Sequence, residues 1–115
     1  MVEIANNVPD GLSNEVTGAT TNAYVAAMTW SCLGVGRKTI TIENTDSTNS
    51  LKYKILCYAH KDGTDHEEVA ETTLAKGDDD KITLENPWAE IEIMVKSASA
   101  GDSADYAIDY NGVEA

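Results

Sequence analysis

The chain has 115 residues, 42% of them hydrophobic, and sets 8 Lys and Arg against 20 Asp and Glu for a formal net charge of −12. That length suits one domain with a core of its own, and the apolar fraction argues against a disordered tail. The charge repels phosphate backbones and anionic headgroups, which argues against nucleic acid and membrane as partners; it suits solubility, a basic partner, cation binding or salty surroundings.

Residues 1–19 read as an extended N-terminal arm. Asn6-Asn7, Pro9-Asp10-Gly11 and Ser13-Asn14 are turn and loop signals. Val2, Ile4, Val8 and Leu12 are apolar but follow no period. The start has no basic region followed by an apolar one, so no signal peptide is expected. No apolar run reaches the roughly 18 residues of a membrane span. The sandwich domain is expected over residues 20–115.

Residues 21–33 read as a strand, with Tyr24, Ala26, Met28 and Trp30 on one face; a short helix around Ala26-Ala27-Met28 is the alternative. Gly34-Val35-Gly36 marks a turn. Residues 38–43 alternate, placing Ile40 and Ile42 inward. A polar loop over residues 44–50 leads to a strand over 51–59. There Leu51, Tyr53, Ile55, Cys57 and Ala59 share the inner face, while Lys52 and Lys54 point out. Leu56 and Tyr58 fall on that outer face too, so the strand is apolar on both sides. An apolar group on the solvent face calls for a cover or a partner.

Asp62-Gly63 is a hairpin turn. Residues 68–75 form the next strand, followed by a turn at Lys76-Gly77-Asp78-Asp79-Asp80 and a strand over 81–85. Asn86-Pro87 breaks that strand, since proline has no N–H to donate. Residues 88–96 alternate most cleanly, with Ala89, Ile91, Ile93 and Val95 inward and Glu90, Glu92 and Lys96 outward. After a turn around Gly101, residues 104–110 align Tyr106, Ile108 and Tyr110. The pattern is all-β: an antiparallel β-sandwich, jelly-roll or Ig-like, of about seven strands behind the arm. No helical pattern separates the strands, so a βαβ sheet is disfavoured.

No residue set reads as catalytic, cofactor-binding or metal-binding. His60 and His66 flank a turn at a spacing that fits no ligand motif. Asp78-Asp79-Asp80 is acidic enough to attract calcium, and the segment from Asn44 to Asn49 is polar but lacks the turn glycine and terminal glutamate of a calcium loop. They read as hairpin loops that satisfy backbone groups. Cys32 and Cys57 read as buried thiols, with a disulfide joining the two sheets as the alternative. Trp30 and Trp88 read as core or rim packing, with a sugar-stacking platform as the alternative. Glu90 and Glu92 read as a solvent face that discourages aggregation.

The segments at residues 38–45, 51–55, 73–78 and 86–91, followed by Val95-Lys96-Ser97 and an alternating last strand, resemble small β-sandwich proteins of tailed-virus particles. The resemblance spans about two thirds of the chain and uses the general grammar of hairpin sandwiches. It implies a non-enzymatic capsid decoration or cement protein, or a small tail component, made in the host cytoplasm and built into the virion. The implied partners are the major capsid protein or another virion protein, and further copies of the chain in a homo-oligomer. Val2, Ile4, Val8, Leu12, Leu56 and Tyr58 are the expected interaction residues. A carbohydrate- or calcium-binding module and a filament subunit assembled by strand donation are the competing readings.

Overall fold

Eight antiparallel strands build the fold: β1 (Ser13–Ala19), β2 (Val25–Ser31), β3 (Val35–Asn44), β4 (Leu51–Tyr58), β5 (Asp65–Leu74), β6 (Asp79–Leu84), β7 (Glu90–Ser97) and β8 (Asp105–Glu114). The computed structural model describes residues 13–60 and 62–114, and no helix occurs among them. Sheet A has the order β1-β8-β3-β6 and sheet B the order β2-β7-β4-β5. The pairs β1·β8, β2·β7, β3·β6 and β4·β5 are all antiparallel and nested. The chain is thus one long hairpin rolled up, the jelly-roll arrangement of the two expected.

β1 is the eighth strand, absent from the sequence reading. The described part of the expected arm, from Ser13 to Ala19, pairs with β8 over seven positions. Six of its seven residues are exposed and only Val16 is half-buried, so it carries no apolar alternation. Val2, Ile4, Val8 and Leu12 lie outside the described residues.

The core follows the alternation. Ile40 and Ile42, Leu51, Tyr53, Ile55 and Cys57, and Ile91, Ile93 and Val95 are buried as expected, together with Tyr106 and Ile108. Tyr110 is half-buried and packs against Trp30, ring centroids 4.7 Å apart and planes tilted by 53°. Ala59 falls just beyond β4 and is exposed. β2 breaks the expected phase. A bulge between Ala26 and Met28 adds a residue. Met28 and Trp30 stay inside, Ala27 packs on the core, and Ala26 is exposed. Ahead of the bulge, Tyr24 lies on the outer side of sheet B, over Lys54 and Lys96.

Polar plugs close both ends of the inward row of β3. At one end Lys38 is fully buried. Its ammonium donates to the carbonyls of Val35 at 3.0 Å, Gly36 at 2.6 Å and Asn86 at 2.8 Å. A register shift between Val35 and Lys38 lets both side chains point inward. At the other end the buried Asn44 amide donates to the carbonyls of Asn49 and Leu74, and its oxygen accepts the amide N–H of Asp46. A buried amide or ammonium is tolerated where its hydrogen-bonding capacity is met.

Cys32 and Cys57 are buried free thiols. The disulfide weighed from the sequence would have joined two sheets, but Cys57 is in sheet B and Cys32 lies beside the end of a strand of that same sheet. Cys57 lies in β4, Cys32 directly follows β2, and β7 runs between them. Two strand spacings separate them by roughly 10 Å, beyond the ~7 Å limit of a disulfide. Burial pushes the Cys32 thiol up to about 11 and the Cys57 thiol up to about 12.

Candidate interaction surface

The outer face of sheet B gathers Leu56 and Tyr58, the two expected interaction residues that the structure describes. Both are half-buried on β4. Pairing sets Leu56 between Glu67 of β5 and Glu92 of β7, and Tyr58 between Asp65 and Glu90. One step further along β7, Met94 stands opposite Lys54 on the same face and is also half-buried. Leu56, Tyr58 and Met94 therefore make an apolar patch on the two central strands.

The charges around the patch are segregated. Asp65, Glu67, Glu90 and Glu92 surround its Tyr58 end. Lys52, Lys54 and Lys96 lie at the other, where Lys52 pairs with Lys96 across the strands. Tyr24 quiets the basic end. Its ring sits 4.6 Å from the Lys54 ammonium and 4.9 Å from that of Lys96. Its hydroxyl donates to Glu71 at 2.6 Å, and Glu71 also meets Lys52 at 3.5 Å. The Tyr24 hydrogen bond, followed by Lys52 and Lys96, holds the Glu71 carboxyl below its usual range. At the acidic end the Tyr58 hydroxyl donates to Glu92 at 2.7 Å. That bond, then burial, pushes the Tyr58 phenol up to about 12. The hydroxyl therefore stays a donor, and the face offers a Leu and a Met, which pack adaptably, beside a tethered phenol.

The other residues singled out from the sequence do structural work. The Asp46 carboxylate accepts the amide N–H of Thr48 and Asn49, closing the loop between β3 and β4. Asp80 accepts the hydroxyl of the buried Tyr53 at 2.6 Å, a tie from sheet A to sheet B. The Gly63 N–H donates to the His60 carbonyl at 3.0 Å, and Asp62 stands at φ 63°. His66 lies on β5, its ring 5.6 Å from that of Trp88. No three metal-ligating side chains cluster among the described residues. Trp30 is core, only 2% exposed, so the two tryptophans do not form a common platform. Trp88 stays at the rim, half-buried beside Ala59, Asn86 and Pro87 in an open pocket of about 250 Å³. Two contributors escaped the sequence reading. Met94 shares the outward parity of Glu90 and Glu92, which was the signal for it. Tyr24 gave none, because the bulge reverses its phase.

No protein-family model matches the chain, and no curated protein matches it in sequence. Its fold is similar to that of the Yersinia pseudotuberculosis-derived mitogen, with a TM-score of 0.58 and 12% identity over 86% of this chain and 84% of that one. It is similar to a protein of Bacillus endospore appendages, described as disulfide-linked pili, with a TM-score of 0.53 and 10% identity over 90% and 88%. It is also similar to the SPBc2 prophage-derived protein YomS, with a TM-score of 0.51 and 10% identity over 96% and 100%. Identities this low establish a shared small β-sandwich and assign no family.

Proposed function

We propose that the chain is a structural subunit of a virus particle, a decoration or cement protein that docks on the major capsid protein or another virion protein. The observation that carries this reading is the apolar patch of Leu56, Tyr58 and Met94 on the central strands of sheet B. Central strands have no free backbone edge, so a partner meets this face through side chains. A small apolar centre inside a charged rim is the layout of a protein–protein contact. Residues 1–12, with Val2, Ile4, Val8 and Leu12, act as a second grip. The prophage origin of YomS and the assembly named for the appendage protein support the reading. The jelly roll is compatible with it, since the fold recurs in capsid domains as well as in lectins and cupins.

Two variants test it by co-sedimentation with capsids assembled from the major capsid protein of the same virus. Leu56→Lys puts a cation between Glu67 and Glu92, so the sheet should stay folded while the patch loses its apolar centre. Deletion of residues 1–12 leaves β1 whole. Each should reduce binding at least tenfold with an unchanged melting temperature. Binding equal to the parent in both variants would overturn the reading.

A further inference from the structure

We propose that β1 is exchanged between copies of this chain: the strand Ser13–Ala19 of one molecule fills the place beside β8 in a second. The inference concerns how copies join one another, and it stands whether or not sheet B meets a capsid.

The donor strand is lightly held. Six of its seven residues are exposed, and Val16 alone packs on the core. Glu15 stands directly opposite Asp109 of β8, and facing like charges weaken a strand pair. Releasing β1 therefore uncovers little apolar surface of its own. The slot it leaves is different. β8 presents the buried Ile108 opposite Val16 and the buried Tyr106 opposite Gly18. With β1 gone, β8 becomes an unpaired edge with apolar neighbours exposed beside it, the kind of edge that recruits another strand.

The slot is also selective. The Tyr106 ring lies across Gly18 so closely that a Cβ there would stand 2.6 Å from the phenolic oxygen. A fitting strand needs an apolar residue opposite Ile108 and, two residues on, a glycine beneath Tyr106. Among the described residues the other apolar-x-glycine triplets do not serve: Cys32-Leu33-Gly34 and Ala75-Lys76-Gly77 end on turn glycines at positive φ, and Tyr110-Asn111-Gly112 belongs to β8 itself, which leaves Val16-Thr17-Gly18. The occupant that meets the requirement is the same segment of another copy.

The anchor lies next to the strand. Thr20 is buried, 3% exposed. Its N–H donates to the Ala104 carbonyl, its carbonyl accepts the Ser103 hydroxyl, and its Oγ1 accepts the Ala104 N–H. The same Oγ1 shares a hydrogen bond with the Ser97 hydroxyl, and the Ser97 N–H donates to the Thr21 carbonyl. In exchange Thr20 travels with the strand and its bonds re-form in the second copy, so residues 21–24, between Thr20 and β2, are the hinge. Swinging about it, the seven residues of β1 reach roughly 23 Å, enough to lie along a neighbouring sheet. Exchange of an identical element repeats each contact between chains, which makes it a low-cost route to oligomers.

Cross-linking tests this directly. Thr17 and Ala107 are register partners. A chain carrying Thr17→Cys is refolded together with a tagged chain carrying Ala107→Cys, the mixture is oxidised, and the products are run on a non-reducing gel. Cys32 and Cys57 are buried in both chains. Exchange predicts a prominent disulfide-linked heterodimer, and predicts that adding Gly18→Ala to the Thr17→Cys chain cuts its yield several-fold. The double variant Thr17→Cys/Ala107→Cys separates the alternatives again, since exchange gives covalent dimers or a ladder. Only an internally linked monomer at every protein concentration, or a dimer by size that never cross-links at this pair, would overturn the proposal. Neither readout depends on Leu56 or on particle binding.

Discussion

At the scale of single residues, Lys38 carries the heaviest structural load for its type. Lysine is almost never fully buried without a partner, yet here its stem completes the core row of Ile40 and Ile42. Three carbonyls take the place of bulk water around the ammonium. Those carbonyls come from the start of β3 and from Asn86, between β6 and β7. The side chain therefore ties the entry of one strand to the exit of another. Lys38→Met keeps the stem and deletes the donors, leaving the Val35, Gly36 and Asn86 carbonyls without this partner. The expected cost is about 2–4 kcal/mol, because an acceptor stranded in the interior loses its water as well as its bond. Denaturant unfolding checks it: the midpoint should fall with the slope unchanged. A loss below about 1 kcal/mol would mean that water reaches these carbonyls once the ammonium is gone.

At the scale of elements, loops and strands are secured by different means, and this decides how much of each was legible. The Asp46 carboxylate closes the loop between β3 and β4. Bonds from the Asn49 N–H, then from that of Thr48, hold its pKa below the ordinary 3.8. A carboxyl with a lowered folded pKa binds fewer protons folded than unfolded. Its stabilisation is present above the ordinary value and is lost as pH falls through the lowered one. Asp46→Asn should therefore flatten the acid limb of a stability–pH curve below about pH 4, while the parent keeps a steeper fall; equal slopes would show that the loop does not depend on this charge. The loop was readable because Asn and Asp announce turns. β3, β4, β7 and most of β8 were readable because each buries one face, and burial imposes the period of two on Ile40/Ile42 or Ile91/Ile93/Val95. β1 was not readable for the same physical reason. With one half-buried side chain it is held by its backbone, and backbone bonds leave no trace in residue type. β2 was read in the wrong phase because a bulge inserts a residue without a sequence signal of its own. Leu56 and Tyr58 stood out as apolar residues out of phase, whereas the burial of Lys38 ran against its charge.

At the scale of the molecule, topology and charge act together on the outermost strand. The nested pairing brings the first strand against the last, so Val16 meets Ile108 from opposite ends of the described chain. The β4–β5 hairpin closes a short loop, whereas β1·β8 closes nearly the whole chain. Long closures cost the most entropy and are expected to form late. β1 is then the last strand to dock and the first to leave, which suits its exchange between copies. The charge of −12 works against both folding and association. Twenty acidic groups on a small domain repel one another within it and repel a second copy approaching the β1 edge. Salt screens such repulsion over a distance of about 10 Å at 0.1 M. Raising NaCl from about 0.02 to 0.5 M should therefore raise the melting temperature by roughly 4–6 °C, the equivalent of about 1 kcal/mol for a domain of this size. The same change should increase the Thr17–Ala107 cross-link between chains, because two like-charged molecules meet more often. A melting temperature that falls with salt would show that attraction between the lysine end and the acidic end of sheet B outweighs the repulsion. Scanning calorimetry across a salt series, with cross-link yield measured on the same samples, separates the effect on the fold from the effect on assembly.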